Sequence, residues 1–238
     1  MIALAGATWR EIRDRPLVLV PLGSTEQHGP HLPMETDTVI AESVTARTAT
    51  LLPSDVVVAP AVAYGASGEH QMFAGTSSIG SRALRELLVE LVRSMTTWSG
   101  GIVLINAHGG NSRAVEGAVL QLVEEGRDVC WVPCAAAKGD AHAGRTETSL
   151  MMHLRPSSVR LGLAQPGNTT PIGRLIPALV RNGVAAASPN GVLGDPTGAT
   201  ADEGARCFEH MAQRIASLIL DGARSANGML IPASKAVR

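Results

Sequence analysis

Four short runs of apolar, mostly β-branched residues occur in the first 132 residues of the chain, and none alternates with polar residues. Such runs are typical of strands that are buried on both faces of a sheet. They lie at 17–21, 55–59, 101–105 and 128–132. Stretches of helical periodicity follow the first three runs at 38–52, 81–98 and 114–125, and another lies at 201–221. This alternation predicts an α/β fold in which helices cover both sides of a mostly parallel sheet.

Two stretches, 63–80 and 183–200, lack this rhythm and are rich in glycine, serine and other small residues. Long irregular segments in a compact domain are usually functional or mobile loops. A length of 238 residues suits one domain, so we expect a single domain over 1–238. The tail after about residue 227 is expected to be dispensable, and possible disorder there would be unremarkable.

The charge balance limits the classes of molecule that the protein could bind. The 20 basic and 21 acidic residues nearly cancel, which argues against binding to nucleic acid or to an anionic membrane. No apolar run approaches the roughly 18 to 20 residues that span a bilayer. Charged residues interrupt the N-terminal 14 residues, where an export signal would need an apolar stretch. We therefore expect a cytoplasmic protein that acts on a small molecule or a short peptide.

Polar residues that could bind a metal ion follow two of the apolar runs directly. Glu26 and His28 follow the first run, and in an extended chain both would point the same way while Gln27 faces elsewhere. His108 follows the third run and precedes two glycines that permit close approach of the backbone. Because ligands bind beyond the carboxyl ends of parallel strands, these residues should share one crevice. Asp37, just before a helical stretch, could bridge two cations.

Each of these residues also has a structural interpretation when it is taken alone. An aspartate before a helix is most often an N-cap, and a histidine at a strand end is most often a hydrogen-bonded structural residue. Capping would explain Asp37, but it would not explain carboxylate and imidazole groups at two strand ends. The joint pattern favours a metal site, and these ligand types suit Zn, Mn or Fe(II) better than Ca.

The segments that carry these residues resemble the motifs of the creatininase family of amidohydrolases. Four motifs occur in order and span nearly the whole chain. They are Gly23-Ser-Thr-Glu-Gln-His-Gly-Pro-His-Leu-Pro33 with Asp37, Asn106-Ala-His-Gly-Gly-Asn-Ser112, His142-Ala-Gly-Arg-Thr-Glu-Thr-Ser149 and Gly191-Val-Leu-Gly-Asp-Pro196. The resemblance implies a three-layer α/β/α sandwich, usually assembled as a homohexamer. It also implies two divalent metal ions per subunit that activate a water for hydrolysis of a C–N bond.

The resemblance also implies a division of ligands between the two ions. Glu26 and His108 would hold one ion, His28 would hold the other, and Asp37 would bridge both.

The last ligand of the second ion differs from creatininase. Creatininase itself has a glutamate two positions after the matching histidine, where this chain has Gly110. An ion held only by one imidazole and a shared carboxylate would bind weakly. Glu147 is our candidate for the missing ligand and a catalytic candidate. The alternative is an ordinary carboxylate in the first turn of a helix, which the helix dipole favours.

His142 matches the family histidine that carries a proton between the attacking water and the leaving nitrogen. Imidazole suits this task because its pKa lies close to that of a metal-activated water. The alternative is an exposed loop histidine. Four further residues are candidates for substrate binding, and three histidines are expected to be structural. The substrate-binding candidates are Glu69, His70, Gly109 and Gly110, and the structural histidines are His31, His153 and His210.

Within the family, the resemblance favours a peptide over creatinine. Creatininase closes its pocket with tryptophan near the catalytic histidine, whereas residues 137–141 ahead of His142 include no aromatic residue. The loop at 64–80 resembles that of the creatininase-like peptidases of the mycofactocin system. This implies removal of a C-terminal dipeptide from a modified precursor peptide.

Other functions stay open at this point. Formamide hydrolases of deazaflavin or riboflavin biosynthesis share the Glu-Gln-His-Gly and His-Gly-Gly-Asn motifs, and creatinine amidohydrolase is a further alternative. From another class, the chain could be a catalytically silent binding or assembly subunit that kept the fold. Retention of all the candidate ligands argues against that alternative.

Overall fold

The computed structural model describes residues 1–53, 55–136 and 139–235, and a sheet of five parallel strands lies at its centre. The order across the sheet is β1-β3-β2-β4-β5. The register sets Leu22 of β2 beside Asn106 of β4, so both strands end at the same edge. The strands are β1 (Ile2–Ala3), β2 (Leu17–Leu22), β3 (Val56–Val58), β4 (Gly101–Asn106) and β5 (Val129–Pro133).

Helices cover both faces of this sheet, which confirms the predicted α/β/α sandwich. Helices α2 and α3 pack with one apolar cluster, and helices α1, α4 and α6 pack with the other. Neighbouring residues of β2 alternate between the clusters, with Val18 and Val20 in the first and Leu19 in the second. This explains why the strands read as unbroken apolar runs. The helices are α1 (Thr36–Leu51), α2 (Gly80–Met95), α3 (Ser112–Glu124), α4 (Arg145–Leu154), α5 (Ile172–Ala187) and α6 (Ala201–Asp221).

The long helix α5 and the short edge strand β1 were not foreseen. Helix α5 contains Pro177 and is interrupted at Gly183, where φ is 73°. Both residues disturb the periodicity on which a sequence-based prediction depends. Helix α1 begins at Thr36, so Asp37 lies inside its first turn rather than ahead of it.

Regular structure continues beyond residue 227, in the tail where disorder would have been unremarkable. Strands β6 (Gly222–Arg224) and β7 (Leu230–Pro232) form an antiparallel hairpin. The indole nitrogen of Trp131 donates a 3.0 Å hydrogen bond to the backbone oxygen of Asn227, which ties the hairpin to β5. Residues 236–238 lie outside the described part of the chain.

The two irregular stretches lie against the carboxyl edge of the sheet. In the first, the backbone nitrogens of Ser77 and Ile79 donate to the oxygens of Thr25 and Gly65, at 2.9 and 3.0 Å. In the second, Leu193 forms a backbone bridge with the segment that carries His142. These bonds fix the position of both stretches at that edge. The prediction of an irregular segment over 183–200 is wrong for 183–187, which belong to helix α5.

Among the helices that the structure describes, none is long and apolar enough to cross a membrane.

Close packing of α6 on α4 provides a test of the fold. A Cβ atom at Gly204 of α6 would overlap the backbone oxygen of Ser149 in α4. We expect Gly204→Ala to lower the free energy of unfolding by about 1–3 kcal/mol, because the helices would have to separate. Urea denaturation measures the change.

The matched control is Gly173→Ala in α5, where a Cβ atom would meet no heavy atom within 4 Å. This change should be neutral or should stabilise the protein by up to about 1 kcal/mol. Equal effects of the two substitutions would contradict the described packing.

Candidate active site

The carboxyl ends of four strands contribute to one cluster of carboxylates and imidazoles. Glu26 and His28 follow β2, and His108 follows β4. The segment after β3 contributes His70, and the segment after β5 contributes His142. All five side chains are buried. The predicted convergence of the strand ends on one crevice is thus confirmed, and it also includes the segment after β3.

Asp37 is the side chain that connects the two halves of this cluster. Its Oδ1 atom lies 3.2 Å from Nε2 of His28, and its Oδ2 atom lies 3.2 Å from Nδ1 of His108. Ser24 donates a 2.8 Å hydrogen bond to Oδ2. The N-cap of helix α1 is Glu35, and Asp37 lies within the first turn. The N-cap interpretation of Asp37 is therefore wrong, and its carboxylate faces the histidines instead.

Glu147 lies on the His28 side of the cluster. Its Oε2 atom is 3.8 Å from Nε2 of His28 and accepts a 2.6 Å hydrogen bond from the backbone nitrogen of Ala143. Ala143 has φ of 51°, a conformation that is uncommon for a residue with a side chain. This tight turn sets both His142 and Glu147 beside His28. The ring centroids of His28 and His142 are 4.3 Å apart.

Glu26 lies on the His108 side. Its Oε2 atom is 3.2 Å from Nε2 of His108, and its Oε1 atom is 3.3 Å from Nε2 of His70. Neither oxygen has a hydrogen-bond partner among the described residues, although both are buried. A buried carboxylate without hydrogen bonds is strongly destabilising unless a cation compensates it. This orphaned carboxylate, surrounded by imidazoles, fits a divalent metal ion.

The pKa values reflect this crowding of charges. Burial raises the pKa of Glu26 to about 7. Burial opposes the protonation of His28 and His108, but neighbouring carboxylates outweigh it. Asp37 is the chief cause for His28, whose pKa rises to about 10. Glu26 is the chief cause for His108, whose pKa rises to about 9. Burial alone would raise the pKa of Asp37, but these two histidines hold it well below its usual range.

The pKa values of His142 and His70 are lowered rather than raised. Burial and the neighbouring imidazoles hold the pKa of His142 well below its usual range and lower that of His70 to about 3. Both rings are therefore neutral at physiological pH in the metal-free protein. Burial raises the pKa of Glu147 to about 7, so a nearby cation would favour its ionised form.

Gln27 is a functional candidate that the sequence analysis missed. Its Nε2 atom lies 2.7 Å from Nδ1 of His70, 2.9 Å from Nε2 of His142 and 3.1 Å from the backbone oxygen of Gly191. Its Oε1 atom accepts a 2.9 Å bond from the backbone nitrogen of Gly29. A Cβ atom at Gly191 would lie 2.6 Å from Cδ of Gln27, so a glycine is needed there.

These contacts indicate the tautomer of His142. Nε2 of His142 also lies 2.9 Å from the backbone oxygen of Gln27, which can only accept a hydrogen bond. If His142 donates from Nε2 to this oxygen, the two amide hydrogens of Gln27 can be directed at His70 and Gly191. Nδ1 of His142 is then free to accept a proton, 3.8 Å from Oε1 of Glu26. The signal in the sequence was the position of Gln27 between two candidate ligands.

Gly110 has a physical explanation in the structure. A Cβ atom there would lie 2.5 Å from Oε1 of Glu69 and would also overlap His108 and the backbone oxygen of Ala66. The space that a glutamate would occupy is therefore filled by the loop at 63–80. Oε1 of Glu69 lies 3.8 Å from Nε2 of His108, so Glu69 faces the cluster.

The cluster opens into a cavity of about 750 Å³. All four predicted substrate-binding residues, Glu69, His70, Gly109 and Gly110, line it together with Glu26, His108 and His142. Part of its wall comes from helix α5. Ala137 and Lys138, in the stretch predicted to lack an aromatic lid, lie outside the described residues.

The remaining predicted histidines have the structural surroundings expected of them. His31 is buried next to the site motif, and its Nε2 atom lies 2.8 Å from the hydroxyl of Thr148. The ring of His153 packs against Phe208 with centroids 5.6 Å apart. His153 and His210 do not line the cavity among the described residues.

Comparison with known proteins agrees with this geometry. A model of the creatininase family, described as creatinine amidohydrolase, matches residues 5–219. The mycofactocin precursor peptide peptidase of Mycobacterium ulcerans is 52% identical over 222 residues, which cover 90% of this chain and 89% of that relative. The peptidase of the same name from Mycolicibacterium smegmatis is 50% identical over 232 residues, which cover 95% of this chain and 94% of that relative.

Solved structures show the same fold. The crystal structure of creatinine amidohydrolase (creatininase) has a TM-score of 0.76 at 25% identity and covers 92% of this chain and 96% of its own. A manganese form of creatininase has a TM-score of 0.74 at 24% identity and covers 92% of this chain and 97% of its own. A creatininase variant in a zinc–zinc form has a TM-score of 0.73 at 24% identity, with 91% and 96% covered.

Metal binding should release protons from this site. His28 and His108, with pKa values of about 10 and about 9, are both protonated, positively charged imidazoles at neutral pH in the metal-free protein. Cations that bind both imidazoles displace these two protons. Glu26 and Glu147, whose pKa values are about 7, are each about half protonated at pH 7 and together lose about one more. We therefore expect release of about three protons per chain near pH 7, and affinity should rise with pH up to about 10. Calorimetric titration with Zn²⁺ in buffers of different ionisation enthalpy measures the release.

His108→Gln should reduce the release by about one proton, because one protonated imidazole is gone. The control is His153→Gln, at an exposed histidine outside the cavity, which should leave the release unchanged. A binding heat that is independent of the buffer would show that the imidazoles are not displaced.

Proposed function

Because the chain belongs to the creatininase family of metal-dependent amidohydrolases, we propose that it is a peptidase acting on a mycofactocin precursor peptide. The bond cleaved would be an amide bond that releases a C-terminal dipeptide from the modified peptide. The observation that carries this proposal is about 50% identity to peptidases of that name over at least 90% of the chain. The creatinine amidohydrolase of Pseudomonas putida is 31% identical over only 49% of the chain.

We propose that Glu26 and His108 hold one divalent ion, and that His28 and Glu147 hold a second. Asp37 would bridge them, a role supported by its two oxygens, which face different histidines at 3.2 Å. This donor set accepts Zn, Mn or Fe(II). When bound, the ions would polarise the amide carbonyl and lower the pKa of a water molecule.

His142 would move the proton during hydrolysis. Its Nδ1 atom accepts the proton of the attacking water, and the same ring then gives it to the leaving amide nitrogen. Gln27 would be a positioning residue, because its backbone oxygen lies 2.9 Å from Nε2 of His142 and fixes which nitrogen is free. Glu69 and His70 would contact the peptide from the opposite loop, since both line the cavity.

Homohexameric assembly and a cytoplasmic location are also part of the proposal, on the family resemblance and on the composition respectively. Sedimentation of the purified protein tests the assembly.

Cleavage of the modified precursor peptide by the metal-loaded enzyme tests the function. We expect Glu26→Gln to lower turnover by at least about a hundredfold, since it removes a ligand charge from the site. Mass spectrometry of the released fragment identifies the bond that is cleaved.

The control is Glu86→Gln, which changes an exposed glutamate of α2 in the same way and should retain full turnover. Full turnover by the Glu26 variant, or turnover of creatinine in place of the peptide, would refute the assignment.

The role of Glu147 can be tested by metal content alone. Glu147→Gln should lower the occupancy of one ion selectively, from about two ions per chain towards one, because His28 and a shared Asp37 hold a cation weakly. Elemental analysis after dialysis against a weak chelator measures this. Unchanged stoichiometry relative to wild type and Glu86→Gln would exclude Glu147 as a ligand.

A further inference from the structure

Helix α5 carries three exposed β-branched residues at four-residue spacing, which we call the α5 stripe. Ile172, Ile176 and Val180 are 43%, 51% and 81% exposed. Residues four apart lie on the same face of a helix, so the three side chains form one continuous apolar strip. Large apolar groups on one exposed strip commonly mark a binding surface.

The α5 stripe is not needed to pack helix α5 onto the protein, because other residues anchor the helix. Leu175 and Val184 are buried in a small apolar cluster with Leu193. At the interruption of the helix, Gly183 adopts φ of 73°, and a Cβ atom there would lie 2.9 Å from the backbone oxygen of Glu69. The glycine allows α5 to lie directly against the loop that carries Glu69 and His70.

The α5 stripe faces the active-site cavity. Ile172, Ile176 and Val180 line the same cavity of about 750 Å³ as Glu26 and His142. One region of the cavity therefore holds the groups that act on the amide bond, and an adjacent wall is aliphatic. A substrate bound there would present its amide to polar groups and its neighbouring side chain to the wall.

We propose that the α5 stripe is a subsite for a bulky apolar side chain next to the cleaved amide bond of the peptide. This inference rests on the proposed peptidase function and adds the chemical class of the residue that the enzyme selects. A charged side chain would be desolvated against three aliphatic groups without a compensating hydrogen bond, which disfavours its binding.

A second copy of the chain is a weaker candidate for covering the stripe. The stripe consists of three side chains on one helix, and they share their cavity with the groups that act on the amide bond. The stripe also faces a concave cavity that contains the acting groups, which is the usual setting of a substrate subsite.

Kinetics of a charge substitution at Val180 test the subsite. Val180 is 81% exposed, so Val180→Asp removes little packing. For the modified precursor peptide we expect KM to rise by about tenfold or more, with kcat within about twofold and metal content unchanged. Val180→Ile should retain the wild-type KM.

The matched control is Val123→Asp, an identical change at a residue of α3 that is 43% exposed and does not line the cavity. It should leave KM unchanged. An equal KM for Val180→Asp and wild type would overturn the subsite. A changed sedimentation coefficient with an unchanged KM would also overturn it and would assign the stripe to an interface between copies.

Calorimetric binding of leucyl-leucinamide and seryl-serinamide to the zinc-loaded protein separates this inference from the proposed function. We expect wild type to bind the leucine compound more tightly, by about tenfold, and Val180→Asp to lose this preference. If wild type shows the preference but does not cleave the precursor peptide, the peptidase function fails and the subsite stands. Equal binding of the two compounds by wild type would overturn the subsite.

Discussion

Parallel pairing of β2 with β4 is the constraint on which the rest of the site depends. The register that sets Leu22 beside Asn106 brings the segments with Glu26 and His108 out of the sheet at one edge. Asp37 then reaches between them from the first turn of α1, with one oxygen towards His28 and the other towards His108. A slip of this register would separate carboxylate from imidazole, and no loop adjustment could easily restore the geometry.

The rigid scaffold also keeps a buried carboxylate in place without hydrogen bonds. Glu26 is fully buried and has no hydrogen-bond partner in the described chain, a situation that a flexible site would relieve by opening to water. Here two apolar layers hold the strands from both sides. The site is thus prepared for cations by a fold that keeps Glu26 and Asp37 buried at the strand ends.

The parts of the structure that could be predicted from sequence are those with a repeated or local signal. Unbroken apolar runs located four strands, and the strand-end positions of Glu26, His28 and His108 were enough to predict one crevice. Helix α5 could not be predicted, because Pro177 and Gly183 break its periodicity and its apolar face lies over a cavity rather than over the sheet. Gln27 was missed because its partners, His70 and His142, are distant in sequence. The hairpin near the C-terminus was missed because its stabilising contact is to Trp131, almost one hundred residues earlier.

Gly110 illustrates how packing around a site restricts the residue type at one position. Any side chain at this position meets Glu69, His108 and the backbone of Ala66 together. A glutamate could be accommodated there only if the loop that carries Glu69 moved, and that loop also contacts α5 at Gly183. A side chain at position 110 would therefore require coordinated changes in a loop and a helix, which makes a single substitution at this position costly.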